Sequence, residues 1–190
     1  NQFIEKVGVN CQFMKCLNNE LTHHDFKFKV GLNEDCLPFN PSGSCKSGGL
    51  YFTTNRYINN FLEYGLNIAI LELCEDAEFY IEPLVNLGQE VNLEPIKFKT
   101  NKFVIKEILP QSEEICLLAV QKDVKVLQSV KEQTEKICKM AVQKNGNALR
   151  YVKEQTKKIC KMAVQQNGMA LRWVKKQTDE ICFLAVQQDG

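Results

Sequence analysis

The chain has 190 residues, of which 44% are hydrophobic and 25% are charged, values typical of a folded protein rather than a disordered one. Its longest apolar runs, such as residues 68–71, are too short to cross a bilayer, and residues 1–13 (NQFIEKVGVNCQF) lack the basic start and apolar stretch of a secretory signal. The net charge of +1 conceals an asymmetry, because residues 1–110 carry 10 basic and 14 acidic side chains and residues 111–190 carry 14 and 9, giving −4 and +5.

Nine cysteines would suggest disulfides in a secreted protein. Four of them recur every 22 residues inside an apolar stripe and are interpreted as small buried side chains: Cys116, Cys138, Cys160 and Cys182. The absence of a signal and the odd total favour a reducing compartment. The other five lack the paired close spacing of a zinc site and are interpreted as loop and core residues, so no metal is expected: Cys11, Cys16, Cys36, Cys45 and Cys74. The alternative is that His23 and His24 complete a metal-binding cluster with them.

The first elements in chain order predict a small, mainly-β domain over residues 14–110. Residues 1–13 are predicted to be a leader or extension, poorly ordered. Alternation in residues 26–30 indicates a half-buried strand, and the Pro- and Gly-rich residues 38–43 indicate a long turn. Further strands are predicted at residues 49–53, 67–73, 78–81 and 96–108, the last one split near Thr100-Asn101, with a short helix at residues 57–64.

From residue 111 the chain repeats itself every 22 residues. The four registers are QSEEICLLAVQKDVKVLQSVKE (111–132), QTEKICKMAVQKNGNALRYVKE (133–154), QTKKICKMAVQQNGMALRWVKK (155–176) and QTDEICFLAVQQDG (177–190). The second and third agree at 17 of 22 positions, which indicates a repeat architecture. We call these repeats 1 to 4, and residues 111–190 the repeat region.

Each repeat is predicted to contain two short helices. A hydroxyl residue is placed to cap the first helix in every repeat: Ser112, Thr134, Thr156 and Thr178. Gly146 and Gly168 are expected to end that helix, because glycine accepts the left-handed conformation at a helix C-terminus. A helix of about ten residues is marginal alone in water, so the repeats should stack into a short α-solenoid.

The two end repeats depart from the pattern. Repeat 1 has Asp123-Val124 where the others have Asn-Gly or Asp-Gly, which is typical of a terminal unit adapted to a preceding domain. Repeat 4 stops after its first helix, so the face that a second helix would cover needs another packing partner. We expect the natural chain to continue past Gly190, and self-association through this open repeat is the alternative.

Arg150-Tyr151 and Arg172-Trp173 occupy the same position in repeats 2 and 3. Arginine and aromatic side chains repeated along a ridge are typical of a binding surface, and we predict that these four residues bind a protein partner. The alternative is that the rings pack between adjacent second helices. The +5 charge leaves nucleic-acid binding as a further alternative, although solvated helix faces of mixed sign explain it equally well.

A family resemblance appears once these motifs are combined. HHDFKFKVGLN is followed by PSGSCKSGGLYFT, a short helix and an apolar strand ending in CEDAEF. This order resembles a module at the front of many mimivirus-type giant-virus proteins, where it begins near a methionine, here Met14. The IC-xx-AVxxNGxALxxV pattern is similar to a repeat family of unknown function in those viruses. The resemblance implies an intracellular viral protein, in the host cytoplasm or the virion, with a host or viral protein partner.

One enzymatic alternative concerns the first 110 residues. His24 and the strand Gly48-Gly49-Leu50-Tyr51-Phe52 loosely resemble the ADP-ribosyltransferase pattern. That resemblance implies that His24 holds a ribose and that Tyr51 stacks on nicotinamide. His24 lacks the glycine that usually follows, and Glu82, which precedes a proline, is the least poor candidate for the glutamate. The simpler interpretation is that Tyr51 and Phe52 alternate between the faces of a structural strand.

The sequence therefore predicts an α+β fold in three parts, with residues 1–13 as an extension, 14–110 as a mainly-β module with a short helix, and 111–190 as an α-solenoid of 22-residue helical hairpins. We expect a non-enzymatic interaction scaffold or adaptor that needs no cofactor and has no membrane partner.

Overall fold

The computed structural model describes residues 11–42, 46–81, 85–86, 89–90 and 97–189. The chain divides into two compact units at the bond between Pro110 and Gln111. We call the first unit the front module, and the second is the repeat region. The fold is mixed α+β, with a sizeable antiparallel sheet in the front module and helices in the repeat region.

The front module is built on a seven-stranded antiparallel sheet with the order β4-β11-β6-β1-β5-β10-β7. Its strands are β1 (Phe13–Leu17), β4 (Gly31–Glu34), β5 (Leu50–Thr54), β6 (Asn67–Leu73), β7 (Phe79–Ile81), β10 (Phe98–Thr100) and β11 (Lys102–Leu109). Two short hairpins join β2 (Thr22–His23) to β3 (Phe26–Lys27) and β8 (Val85–Asn86) to β9 (Gln89–Glu90). A 3-10 helix, η1 (Ile58–Tyr64), connects β5 to β6.

Aromatic rings form the centre of the front module. Phe98 pairs with Phe52 in the register between β10 and β5, and their ring centroids lie 5.4 Å apart. Phe103 of β11 and Phe28 stack at 6.1 Å on the same cluster. Burying four phenylalanines removes a large apolar area from water, so this cluster is the main stabilising element of the module.

The predicted strand at residues 26–30 is wrong beyond Lys27. Asn33 takes the backbone of Lys29 out of strand pairing, because its Oδ1 accepts from the Lys29 amide at 3.0 Å and its Nδ2 donates to the Lys29 carbonyl at 2.7 Å. The side chain therefore supplies the hydrogen bonds that a neighbouring strand would otherwise make. The strand that continues the sheet is β4, which begins two residues later and which the hydrophobic pattern did not predict.

Phe13 belongs to the sheet and not to an extension. It is the first residue of β1 and pairs with Leu71 on one side and Thr54 on the other, and its ring lies 5.7 Å from Phe52. The extension predicted for residues 1–13 therefore ends too late. Residues 1–10 lie outside the described part of the chain.

The repeat region alternates α-helices with 3-10 helices. The α-helices are α1 (Glu113–Lys122), α2 (Glu135–Lys144), α3 (Lys157–Gln166) and α4 (Asp179–Asp189). The 3-10 helices are η2 (Val124–Ser129), η3 (Gly146–Tyr151) and η4 (Gly168–Trp173). The predicted hydroxyl caps are confirmed, because each hydroxyl accepts from an amide three residues on, at 3.2 to 3.4 Å: Ser112, Thr134, Thr156 and Thr178.

The predicted role of glycine at the end of each first helix is wrong. Asn145 and Asn167 end α2 and α3 in an extended conformation, and neither Gly146 nor Gly168 has a positive φ. Each asparagine instead caps the following 3-10 helix, with its Oδ1 accepting from the amide two residues on at 2.9 Å. Gly146 is required by close approach, since a Cβ there would lie 2.4 Å from the Ala163 carbonyl oxygen.

Each α-helix packs against the α-helix of the next repeat, and each 3-10 helix packs against the next 3-10 helix. The four residues of the predicted apolar pairs Ile137–Ala141 and Cys138–Val142 are buried, each with at most 2% of its surface exposed. The opposite face is solvated, as Lys136 and Gln143 show. The repeated contacts bury one continuous apolar stripe that no single repeat closes by itself.

Candidate functional site

The repeated glutamine at the first position of each repeat fixes the backbone that carries Tyr151 and Trp173. Gln155 Nε2 donates to the Leu149 carbonyl at 3.1 Å and to the Trp173 carbonyl at 2.9 Å. Its Oε1 accepts from the Lys175 amide at 2.9 Å. One side chain thus ties the end of η3 to the end of η4, and orphan backbone groups at both helix ends are satisfied.

The same set of hydrogen bonds, which we call the glutamine bracket, occurs in the neighbouring repeats. Gln133 donates to the Leu127 and Tyr151 carbonyls at 2.8 and 2.9 Å, and accepts from the Lys153 amide at 2.8 Å. In repeat 1, Gln111 bonds the Ser129 carbonyl. The glutamine recurs at the start of every repeat, but its recurrence alone does not predict these hydrogen bonds.

The four predicted partner-binding residues come together as one stack, which we call the Arg–aromatic ladder: Arg150, Tyr151, Arg172 and Trp173. The Arg150 guanidinium lies 4.5 Å from the centre of the Tyr151 ring and 5.8 Å from the Trp173 ring. Arg172 lies 5.0 Å from the Trp173 ring. Arg150 thus spans two successive repeats, at distances where cations are attracted to ring faces.

The ladder is partly fixed by packing and partly open to solvent. Trp173 Nε1 donates to Asn147 Oδ1 of the preceding repeat at 3.2 Å, and both rings are half-buried. Both arginines are exposed, and neither forms an ion pair with a carboxylate in the part of the chain that the structure describes. The rings therefore pack between repeats, while the two arginine side chains are exposed.

Most lysines of the repeat region form hydrogen bonds or ion pairs inside that region. Three donate to backbone carbonyls at repeat junctions: Lys144, Lys153 and Lys175. Five lie within ion-pair distance of Glu113, Glu135 or Glu180, mostly on the neighbouring repeat: Lys136, Lys139, Lys157, Lys158 and Lys161. These contacts satisfy helix C-termini and nearby carboxylates.

The repeated cysteines are structural. Cys116, Cys138 and Cys160 are buried free thiols, and each Sγ lies 3.8 to 4.0 Å from the Oε1 of the glutamine five residues earlier. Burial raises the pKa of all three thiols, so they stay protonated at neutral pH. A protonated, buried thiol is a poor nucleophile and a poor metal ligand.

A second place of interest is a cavity of about 490 Å³ in the front module, which His24 and Tyr51 both line. His24 is exposed at the turn between β2 and β3, with φ at 52°, and Tyr51 is half-buried on β5. Burial, with the charges of Lys15 and His24, lowers the pKa of the neighbouring His23 to about 4, so that its ring is neutral. The two residues of the nicotinamide interpretation therefore share a cavity.

The surroundings of Tyr51 suit an anion better than a nicotinamide cation. The Nζ atoms of Lys97 and Lys99 lie 4.9 and 5.2 Å from the centre of its ring. A positively charged pyridinium ring would have to approach a face where ammonium groups already lie. Glu82, the candidate glutamate of the ADP-ribosyltransferase pattern, lies outside the described residues.

Two kinds of feature are not found among the described residues. No group of three or more histidine, cysteine, aspartate or glutamate side chains is placed to hold a metal ion. No described helix is both long and apolar enough to pass through a bilayer.

Known proteins resemble parts of this chain. Residues 134–177 match the model of a family described as a domain of unknown function, DUF4116. A protein of Acanthamoeba polyphaga mimivirus named as ankyrin repeat protein R229 is 39% identical over 59 residues, which is 31% of this chain and 19% of that protein. Another, named R868, is 32% identical over 78 residues, or 40% of this chain and 38% of that protein.

The chain thus spans about a fifth of one relative and under two fifths of the other. No solved structure matches it. The family match covers repeats 2 and 3, which carry the Arg–aromatic ladder. The chain is similar to mimivirus repeat proteins, and this similarity supports a giant-virus origin.

Proposed function

We propose that this chain is a non-enzymatic protein-interaction scaffold or adaptor of a giant DNA virus, and that the Arg–aromatic ladder is its partner-binding surface. The observation that carries the proposal is the stack of two exposed arginines on two half-buried rings, repeated at one position of successive repeats. The mimivirus relatives carry ankyrin repeat names, and repeats of that type bind proteins.

The shape of the repeat region supports this role. We infer that the repeats form a short α-solenoid, because each α-helix and each 3-10 helix packs on its counterpart in the next repeat. A solenoid sets equivalent residues at regular intervals along one surface. Arg150 and Arg172 would then present two guanidinium groups on one surface, and because guanidinium groups pair with carboxylates through two hydrogen bonds, this surface suits a partner segment with acidic side chains.

The energetics of the ladder also favour binding. Stacking on Tyr151 and Trp173 restricts both arginines before a partner arrives, which lowers the entropy lost on association. Arginine and aromatic residues contribute most to the affinity of protein interfaces. The half-buried rings supply apolar contact area without requiring the repeats to move.

The test is capture from infected host cells with the whole chain as bait. A partner enriched by the unchanged chain should be lost, with binding at least tenfold weaker, when Tyr151→Ala and Trp173→Ala are combined, because buried aromatic anchors contribute on the order of 2 kcal/mol or more each. The matched control combines Gln143→Ala and Gln165→Ala, exposed positions on the α-helices of the same two repeats. Equal capture by a folded double mutant of the ladder would contradict the proposal.

The similarity to viral proteins also leads us to infer an intracellular location, in the host cytoplasm or the virion. We further infer that the front module is the N-terminal module of mimivirus-type proteins that precedes repeat arrays. Expression of the tagged chain during infection, followed by imaging and virion purification, tests the location. Secretion into the medium would contradict it.

A nicotinamide-dinucleotide enzyme is the second candidate, supported by the shared cavity of His24 and Tyr51. It predicts a thermal shift with the dinucleotide and transfer of a labelled ADP-ribose group to protein. Absence of both removes this candidate and leaves the scaffold proposal unchanged.

A further inference from the structure

Lys15 is a buried lysine in the middle of the sheet of the front module. It lies on β1 between Phe13 and Leu17, which share its face of the strand, and only 6% of it is exposed. Its Nζ donates to the Tyr51 carbonyl at 2.7 Å and lies 4.9 Å from the centre of the Phe28 ring. The ammonium group therefore sits against the aromatic core.

This cation has no carboxylate partner in the part of the chain that the structure describes. Burial lowers the pKa of Lys15 to about 8, so most molecules still carry the charge at neutral pH. An ammonium group has three donors, and one is used by the Tyr51 carbonyl. Because a buried charge is costly unless it is paired, an anion bound beside Lys15 would stabilise it.

The cavity beside Lys15 is large enough for a small ligand. Lys15 lines the cavity of about 490 Å³, which falls within the range of small-molecule sites. Phe26, Phe28 and Tyr51 form aromatic walls, and Lys46 is exposed where it lines the cavity. Flat aromatic walls around a buried cation favour a flat ligand that carries negative charge.

The acidic residues at the cavity do not neutralise Lys15. Asp35 Oδ2 accepts from the Gly49 amide at 2.6 Å and its Oδ1 from the Leu37 amide at 3.0 Å, so this carboxylate is held by the backbone. Asp25 is exposed at the turn between β2 and β3. His23 is neutral, and Lys97 and Lys99 add positive charge near Tyr51.

We propose that this cavity binds a small organic anion, a flat ring carrying a carboxylate or a phosphate, whose oxygen atoms pair with the Lys15 ammonium group. The site lies in the front module and does not depend on the Arg–aromatic ladder. It would give the protein a ligand-binding function in addition to partner binding.

Calorimetric titration of the whole chain tests the proposal with four probes. Benzoate and phenyl phosphate carry the two anionic groups, and the controls are a neutral analogue, benzamide, and a cationic analogue, benzylammonium. We expect saturable binding of at least one anion, with an affinity about tenfold or more higher than that of either control, since a charge-assisted hydrogen bond to a buried group contributes at least this factor. The tighter of the two anions identifies the group that the site prefers.

Lys15→Met keeps the length and apolar stem of the side chain and removes its charge, so the anion should bind about tenfold or more weakly. Lys27→Met is the matched control, because Lys27 is exposed on β3 and does not line the cavity. The Lys27→Met variant should bind the anion as tightly as the unchanged chain does. Failure of both anions to bind, equal binding of benzamide, or full binding by folded Lys15→Met would each overturn the proposal.

A second measurement removes any dependence on how the variant folds. Reductive methylation of lysines in the unchanged chain, followed by mass spectrometry, reports the access of each amine to reagent. The bound anion should slow the labelling of Lys15 about tenfold or more, in proportion to occupancy, and leave Lys27 unaffected. Equal labelling of Lys15 with and without a saturating anion would count against the proposal.

Discussion

At the scale of single residues, the glutamine that starts each repeat solves a problem that the short helices create. A 3-10 helix of six residues leaves most of its terminal carbonyls without partners inside the helix. Gln155 supplies donors to two such carbonyls, in Leu149 and Trp173, and an acceptor for the Lys175 amide. A shorter amide side chain would not span the two helix ends, which explains glutamine rather than asparagine at this position.

Replacing this glutamine should therefore destabilise the repeat region. Gln155→Ala leaves two carbonyls and one amide without their partners in a half-buried setting, and we expect a loss of about 2 to 4 kcal/mol in the free energy of unfolding. Urea denaturation followed by the fluorescence of Trp173, the single tryptophan of the chain, measures this directly. The exposed Gln165→Ala, in the same repeat, should change stability by less than about 0.5 kcal/mol. Similar changes in the free energy of unfolding for the two variants would show that the hydrogen bonds of Gln155 contribute little to stability.

The same glutamine shows what a sequence can predict at this scale. Its recurrence every 22 residues is visible in the alignment, but two of its three bonds join groups 18 and 20 residues apart, and only the packing of repeats brings these groups together. Lys15 is the opposite case. It occurs once, in a strand that begins before the predicted module, and neither a motif nor a period marks it as a buried charge.

At the scale of elements, the two residues of the Asn-Gly pair have different roles, whereas the sequence predicted that glycine alone ends the first helix. Asn145 caps the 3-10 helix η3 through its side chain, and Gly146 allows the next repeat to approach. Repeat 1 supports the division, because Asp123 caps η2 in the same way, with its Oδ1 2.9 Å from the Lys125 amide, although Val124 follows it. The cap is therefore independent of the glycine.

Gly146→Ala should destabilise the repeat region through a clash and not through backbone strain. The added Cβ would lie 2.4 Å from the Ala163 carbonyl oxygen, and a backbone atom of α3 cannot move aside cheaply. We expect a loss of about 1 to 3 kcal/mol, as for overpacked cores, measured by urea denaturation. Gln143→Ala on the exposed face of α2 is the control and should have little effect. A gain in stability would mean that the lower entropy of the unfolded chain outweighs the clash.

Elements with a strong local pattern were predicted closely. The strand at residues 67–73 has the predicted bounds, and the α-helices begin at the predicted hydroxyl caps. β4 was missed because its residues Gly31–Glu34 show no apolar alternation and join the sheet only through pairing with β11. The second helix of each repeat was predicted without its 3-10 geometry, since residue type does not separate the two kinds of short helix.

At the scale of the whole molecule, the distribution of charge bears on whether the repeat region binds an acidic protein or a nucleic acid. The repeat region carries a net +5, but three of its lysines donate to carbonyls at repeat junctions and five lie near glutamates. The arginines of the ladder are exposed, recur at the same position of successive repeats and form no carboxylate contact among the described residues. A partner protein with acidic side chains matches two localised charges, whereas a nucleic acid requires a broad basic surface.

The salt dependence of DNA binding decides between these uses. Each phosphate contact contributes about −0.9 to the slope of log affinity against log salt concentration, so contacts from Arg150 and Arg172 alone give a slope of about −2, whereas the full excess charge of the repeat region would give about −4 to −5. We expect weak binding of a short duplex with the shallow slope, measured by fluorescence anisotropy over a series of salt concentrations. The double variant Arg150→Gln with Arg172→Gln should abolish the remaining binding, and Lys125→Gln with Lys176→Gln, which removes the same charge elsewhere, should leave most of it. A slope of about −3 that survives loss of both arginines, which matches the remaining excess charge of +3, would instead assign the basic surface to nucleic acid, because phosphate contacts spread over many lysines would then carry the binding.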